Sequence, residues 1–184
     1  MLVLNVLAAL ALQQQALPTA HTAPIVVDTA AVRHNNGRTP PFALAVRATA
    51  GSPRIDGRLD DAIWAVTVPV TRFTQYAPRD GEPATERTEV RVAYDDEAVY
   101  IAARMFEPDP SKISAQLGRR DALGQSDFFE VDFDSYHDHR TSFQFYVNPL
   151  GVKMDLVASN DLTSGDLGWD PVWDAATTRD SLGW

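Results

Sequence analysis

The stretch that decides the fold is Asp127–Ser159, with the sequence DFFEVDFDSYHDHRTSFQFYVNPLGVKMDLVAS. It contains three runs of alternating apolar and polar residues, centred on Val131, Phe145 and Met154. Alternation with a period of two is typical of half-buried strands, because successive side chains point to opposite faces of a sheet. The segment Asn148-Pro149-Leu150-Gly151 has the Pro and Gly of a tight turn. The stretch therefore predicts a three-stranded antiparallel meander.

The two faces of this meander differ in character. One face is aromatic and we expect it to be buried; it includes Phe129, Val131, Phe133, Phe143, Phe145 and Val147. The other face carries Glu130, Gln144, Tyr146 and Asn148. Planar polar side chains on adjacent strands can hydrogen-bond the hydroxyl groups of a ligand. We expect this second face to meet a polar ligand.

The composition limits the class of protein. With 184 residues, 45% of them hydrophobic, the chain can build one domain around a core. The net charge of -9 argues against nucleic-acid binding, which requires a cationic surface to replace counterions. The absence of cysteine excludes disulfides, thiol nucleophiles and thiolate metal sites.

The sequence predicts three segments. Residues 1–23 are predicted to be a signal peptide, because MLVLNVLAALAL is an apolar run too short to span a bilayer. Because no Lys or Arg precedes Arg33, the alternatives are an ordinary apolar N-terminus or a start codon that lies upstream of this sequence. Residues 24–53, rich in Pro and Thr, are predicted to form a flexible linker with an extended piece at Phe42–Thr49. Residues 54–184 would form the folded domain of an exported protein, in the periplasm, the outer membrane or outside the cell.

Short strands are predicted along the rest of this domain. Apolar and polar residues alternate in Thr88–Tyr94, whereas Ala98–Phe106 is largely apolar on both sides. With the acidic turn between them, the two segments predict a hairpin. Val66–Tyr76 is predicted to be an edge strand, and Ser111–Gln125 a short helix followed by a loop. Many short strands with little helical periodicity predict an all-β fold, an antiparallel β-sandwich of jelly-roll type.

Three further features concern the ends of the domain. A helical turn capped by Asp60 is predicted near its start, with Trp64 as a core anchor. At the other end, Gly183-Trp184 resembles the start of a further strand. We therefore expect the sandwich to be incomplete at its C-terminal end and the chain to be a fragment of a longer protein.

Four segments carry a resemblance to a known family: IDGRLDDAIW, EVRVAYDDEAVYIAARMFEPD, SDFFEVDFD and FQFYVNPLG. In this order and at this spacing they resemble the family 9 carbohydrate-binding module, over roughly Arg54 to Ala158. The version here looks most like the copy found at the N-terminus of larger exported bacterial proteins. In those proteins a β-rich C-terminal region of unknown function follows.

The resemblance implies a β-sandwich that binds poly- or oligosaccharides, such as the ends of glucan and xylan chains, often beside an attached glycoside hydrolase. Family members clamp a sugar between two tryptophans and bind structural calcium. Glu130 and Asn148 stand where the family has binding residues. Tyr146 replaces an arginine of the binding members, and Gly124 occupies the position of one clamp tryptophan.

The predicted carbohydrate ligands are Glu130, Asn148, Tyr146, Gln144, Trp169, Trp173 and Arg120. Trp169 and Trp173 can substitute for the missing clamp aromatic; the alternative is that they cover the open end of the sandwich. Arg120, with Arg119, is expected either to pair with Asp127 or Glu130 or to hold an anionic ligand. The alternative to sugar binding is a structural or interaction sandwich, N-terminal to an outer-membrane-associated β-rich region.

Catalysis within this chain is not expected. Glu130 and Asp132 on one strand face would lie about 7 Å apart by strand rise, a separation that glycoside hydrolysis can use. However, strand alternation explains that spacing without catalysis. If the longer protein is an enzyme, a glycoside hydrolase acting on O-glycosyl bonds is the expected class.

The loop SYHDHR between two strands of the meander offers metal ligands. Asp134 and Asp138 are candidates for a structural calcium ion, which prefers oxygen ligands. His137 and His139 can bind zinc, but the sequence does not identify a third ligand. The alternative is an ordinary solvated hairpin loop.

Overall fold

The structure is a computed structural model that describes residues 3–6, 42–159 and 164–184, with the backbone alone for residues 3–6. The predicted signal peptide, apart from residues 3–6, and the predicted linker up to residue 41 lie outside the described residues. In chain order the elements are β1 (Val3–Val6), β2 (Ala45–Arg47), α1 (Ala62–Val66), β3 (Thr88–Tyr94), β4 (Val99–Met105), a 3-10 turn (Pro110–Lys112), β5 (Phe129–Phe133), β6 (Ser142–Val147), β7 (Lys153–Ser159) and β8 (Ser164–Asp166). None of the helical segments in these ranges has the length and hydropathy needed to cross a bilayer.

The larger sheet contains five strands in the order β1-β5-β6-β7-β8. β1 runs parallel to β5, and the other neighbours are antiparallel. The predicted meander is confirmed as β5, β6 and β7, with Val131 opposite Phe145 and Phe145 opposite Asp155. The turn from β6 to β7 is the expected Asn148–Gly151, where Gly151 has a φ of +78°.

The smaller sheet has the order β2-β3-β4. β3 and β4 form the predicted hairpin, and β2 adds a parallel strand inside the predicted extended piece Phe42–Thr49. Asp95 fixes the hairpin turn, because its carboxylate accepts hydrogen bonds from the Glu97 and Ala98 amides and from the Tyr100 hydroxyl. A further hydrogen bond from Ser52 is the largest cause that lowers the pKa of Asp95.

The core lies between the two sheets. Phe129 and Val131 of β5 pack with Val90 of β3, and Trp184 closes the same cluster. Trp184 also pairs with Met105 through two backbone hydrogen bonds of 2.9 and 3.0 Å. The aromatic face of the meander is therefore the inner face, as predicted. The two sheets confirm an all-β fold that is compatible with a sandwich.

Trp64 is confirmed as a core residue, 6% exposed and packed against Ala93 and Ala102. Helix α1 begins after Asp61, and not after the predicted Asp60. The carboxylate of Asp61 does not cap the helix, because it accepts hydrogen bonds from Arg54 instead.

Two sequence predictions are wrong. Val66–Tyr76 does not form a strand: it makes two isolated bridges, one from Val70 to β3 and one from Thr74 to Pro83. Ser111–Gln125 contains no α-helix: its first two residues belong to the 3-10 turn, which ends at Lys112. The next residue, Ile113, has an extended backbone, so the turn does not continue into a helix.

Candidate functional site

Four polar side chains meet on the outer face of β5 and β6, away from the sandwich core. The Tyr146 hydroxyl donates a hydrogen bond of 2.7 Å to Glu130 Oε1 and lies 2.8 Å from Gln144 Oε1. Asp132 is directly opposite Gln144 in the register. We call Glu130, Asp132, Gln144 and Tyr146 the polar cluster. Strand alternation places all four on one face, so the sheet itself assembles the cluster.

The two carboxyl groups of the polar cluster are close neighbours. Burial raises the pKa of Glu130, and it raises the pKa of Asp132 to about 7, with the charge of Glu130 as the next cause. Glu130 Oε2 and Asp132 Oδ1 find no hydrogen-bond donor among the described residues. Because the charge of each carboxylate opposes that of the other in this buried place, the neutral form of Asp132 is favoured over its charged form more than in a free carboxyl group.

The polar cluster is closed to solvent, which corrects the expectation of an open binding face. Glu130 is 3% exposed and Asp132 4%, while Gln144 and Tyr146 are each 9% exposed. The described apolar residues packed around Tyr146 are Leu123, Val152, Phe128, Met154 and Leu156. The Phe128 ring stands edge-on to the Tyr146 ring at 5.6 Å between centroids. Burial also raises the pKa of the Tyr146 hydroxyl, which therefore stays protonated and remains a donor.

Asn148 has an internal role. It is fully buried, and its Oδ1 accepts hydrogen bonds from the amides of Leu150 and Val152 at 2.9 and 3.0 Å. Its Nδ2 donates to the carbonyl oxygen of Gln116 and to Ser126 Oγ. These contacts hold the β6–β7 turn against the 114–126 segment. All of the hydrogen-bonding capacity of the side chain is used within the protein.

Trp169 and Trp173 lie on the other side of the sheet from the polar cluster. Trp169 packs against Phe143 and Phe145 with centroid distances of 4.9 and 5.5 Å. Trp173 packs against Phe145 at 5.2 Å. Because these phenylalanines alternate with the polar residues along β6, the structure does not bring the tryptophans and the polar cluster into one site. These contacts favour the alternative of structural cover, although the tryptophans cover the inner face of the sheet and not, as predicted, the open end of the sandwich.

Arg120 contacts neither Asp127 nor Glu130, so the predicted pairing is wrong. It forms an ion pair with Asp155 at 2.5 Å and another with Asp170 at 2.7 Å. Asp155 is 1% exposed, and a carboxylate buried to this degree requires a cationic or donor partner. The chain distance from Arg120 to Asp155 is 35 residues, which explains why local sequence reasoning assigned nearer partners.

Gly124, where the resemblance to the family 9 module would place a clamp tryptophan, has a positive φ that disfavours a larger residue. A Cβ there would lie 2.4 Å from Gln116 Oε1, which is the end of a flexible side chain and can move aside. Sequence reasoning placed Asp132 outside the set of ligand residues, although alternation already put it on the same face as Glu130.

A separate cleft of about 440 Å³ opens at one end of the sandwich. Its lining includes aromatic and acidic side chains, among them Tyr76, Phe106, Trp184, Glu86, Glu107 and Asp127. Tyr76 is 72% exposed there. Sequence reasoning missed this cleft, because its residues come from six separate segments of the chain.

Comparisons of the chain with protein-family models, with curated proteins and with solved structures found no match.

Proposed function

We propose that this chain is the carbohydrate-binding β-sandwich of an exported protein, and that the polar cluster is its sugar site. One observation supports the proposal above others: two carboxylate oxygens, on Glu130 and Asp132, point into a cluster without a donor. Sugar hydroxyl groups are donors of the required kind, and planar acceptors on adjacent strands suit their spacing. The resemblance of four sequence segments to the family 9 module is independent support.

Access is the main physical requirement of this proposal. A sugar reaches the polar cluster only if the segments packed on the outer face withdraw. Leu123, from the segment that precedes β5, is among the residues packed there. β1 extends the sheet beside β5 and does not cover this face, so we expect the chain that begins at residue 24 to bind as the full chain does.

The test is a glycan array followed by isothermal titration calorimetry with xylan and glucan oligosaccharides, on the full chain and on the chain from residue 24. Glu130→Gln should weaken binding about tenfold or more, because a hydrogen bond to a charged group contributes about 1.5–3 kcal/mol. Glu89→Gln is the matched control: Glu89 is a buried carboxylate of β3 in the other sheet, and its loss should leave binding unchanged.

Two outcomes would count against this site. If Tyr76→Ala weakens sugar binding while Glu130→Gln does not, the sugar binds in the end cleft. If no saccharide binds to either folded chain, the carbohydrate function is wrong. Circular dichroism and a cooperative thermal transition establish that each chain is folded before its binding is judged.

The second candidate is a structural or interaction sandwich that has lost sugar binding, attached to an outer-membrane-associated β-rich region. The observation that favours it is the internal engagement of Asn148, Trp169 and Trp173. Under this alternative the polar cluster serves folding specificity alone. In either case a hydrolytic activity would belong to an attached domain, such as a glycoside hydrolase, and not to this chain.

A further inference from the structure

The loop between β5 and β6 brings together three metal-ligating side chains. One ligand atom each from Asp134, His137 and His139 lies within 4.8 Å of the other two. Asp134 Oδ2 and His139 Nδ1 are 3.3 Å apart, and the two imidazole rings are 4.8 Å apart between centroids. Within the described ranges, this is the one group of three or more such residues that has this geometry.

The backbone of the loop explains why these side chains converge. The carboxylate of Asp134 accepts hydrogen bonds from the amides of Asp138 and His139 at 3.1 and 2.9 Å. These bonds fold the chain back over the end of β5. His137 and His139 have φ values of +53° and +57°, in the left-handed region that histidine adopts more readily than most residues. Two left-handed residues separated by one position curl the loop tightly around Asp134.

We propose that this loop binds one divalent transition-metal ion of the zinc class, through the carboxylate of Asp134 and the imidazoles of His137 and His139. Imidazole nitrogen and carboxylate oxygen are ligands that zinc accepts at about 2.0–2.2 Å. Two such ligands at tetrahedral angles lie about 3.3–3.5 Å apart. The Asp134–His139 pair already has this separation, so a bound ion needs no movement of those two groups relative to each other.

His137 is the ligand that has to move. Its ligating nitrogen is at most 4.8 Å from the other two atoms, so an approach of no more than about 1.5 Å brings it to tetrahedral spacing. His137 and His139 are both exposed, which leaves their side chains free to rotate. Three protein ligands leave a fourth position for a water molecule, an anion or a side chain of a partner.

Calcium suits this loop less well. It requires about six to eight oxygen ligands. Asp138, the second oxygen candidate, is not part of the three-residue group, which therefore offers the oxygens of one carboxylate only. The sequence analysis named Asp134 as a calcium candidate and the two histidines as zinc ligands, but it did not combine them, because spacing alone does not show that the three side chains converge.

The test is calorimetric titration of the full chain with Zn²⁺ after treatment with a chelator. His137→Asn and His139→Asn remove one imidazole each and keep a residue that tolerates positive φ. We expect each variant to bind Zn²⁺ at this site at least tenfold more weakly than the wild type, because even the loss of a residue that only orients a ligand costs about 10–100-fold. The double variant His21→Asn/His34→Asn is the control, since it removes the other two histidines and should retain the site.

A spectroscopic measurement separates this site from adventitious binding. Titration with Co²⁺ should broaden the imidazole proton resonances of His137 and His139 together, at one equivalent of metal. The proposal is overturned if neither loop variant changes Zn²⁺ affinity, or if the control variant abolishes binding. It is also overturned if equimolar Ca²⁺ displaces Zn²⁺.

Discussion

The indole Nε1 of Trp173 donates a hydrogen bond of 3.0 Å to Oδ1 of Asp155, a carboxylate that is 1% exposed. The same oxygen accepts from Arg120, and Lys153 lies 4.9 Å from the Trp173 ring centre. Trp173, which the sequence analysis predicts as a sugar ligand, is therefore a hydrogen-bond donor to a buried carboxylate. This relationship ties the 167–179 segment to the centre of β7.

Trp173→Phe should destabilise the fold by about 1–3 kcal/mol, because the buried carboxylate of Asp155 loses a donor. Trp169→Phe is the matched control. The indole of Trp169 packs against phenylalanines, and we expect a smaller loss there because a phenyl ring retains most of that contact. Urea denaturation of the two variants compares their free energies of unfolding. Equal losses would mean that ring packing, and not the hydrogen bond to Asp155, accounts for the effect.

Tyr146→Phe removes the hydroxyl that donates to Glu130 in the polar cluster. We expect a loss of about 1–3 kcal/mol in the free energy of unfolding, since the buried carboxylate then lacks its donor. Tyr136→Phe provides the comparison, because Tyr136 is 67% exposed on the β5–β6 loop and should change stability little. An unchanged stability of Tyr146→Phe, measured by denaturant titration, would show that solvent reaches the cluster.

The stability of the protein should fall as the pH rises from about 4 to 8. The folded-state pKa of Asp132 is raised to about 7, above its ordinary value of 3.8, so its contribution is fully present below pH 3.8 and is lost as the pH passes 7. Between these pH values the folded state binds more protons than the unfolded state, so the free energy of unfolding falls as the pH rises. Denaturation of the wild type at a series of pH values measures this slope.

Asp132→Asn should flatten this pH dependence and make the variant more stable than the wild type at pH 8. The neutral amide cannot ionise, so it avoids the charge repulsion with Glu130. Asp174→Asn, an exposed substitution, should leave the slope unaltered. A parallel slope for the wild type and Asp132→Asn would assign the pH dependence to another group.

Asn148→Asp tests the turn between β6 and β7. The substitution keeps an acceptor for the Leu150 and Val152 amides, but it loses the Nδ2 donor and places a charge against the Gln116 carbonyl oxygen. We expect a loss of about 2–4 kcal/mol, because the residue is fully buried and has no cationic partner. Differential scanning calorimetry gives the shift in melting temperature. A melting temperature within about one degree of the wild type would mean that the turn opens to water at little cost.

The sequence predicts the strands of this fold better than it predicts their surroundings. The meander and the β3–β4 hairpin follow from alternation, which is a local property that tertiary contacts reinforce. The prediction of an edge strand at Val66–Tyr76 is wrong, because this segment pairs with its neighbours only through isolated bridges. Alternation also places Glu130, Gln144 and Tyr146 on one face, and the structure shows this arrangement.

The features that sequence reasoning missed depend on contacts between distant segments. The ion pair of Arg120 with Asp155 and the packing of Trp169 behind the polar cluster both join residues more than 20 positions apart. The periodicity of apolar residues along the sequence contains no information about contacts between such distant positions. The burial of the polar cluster is of the same kind, because exposure depends on what covers a strand and not on the strand itself.

The burial of both faces of the meander has a consequence for folding fidelity. A shift of one residue between β5 and β6 would turn Glu130 toward the aromatic core and Phe129 toward Gln144. In a sheet with one solvated face, a shift of one residue exposes some apolar surface. In this meander the same shift would also bury carboxylates among aromatic rings. A misaligned hairpin is therefore destabilised on both faces of the sheet. The acidic residues of β5 thus favour the native strand pairing during folding, whether or not they ever bind a ligand.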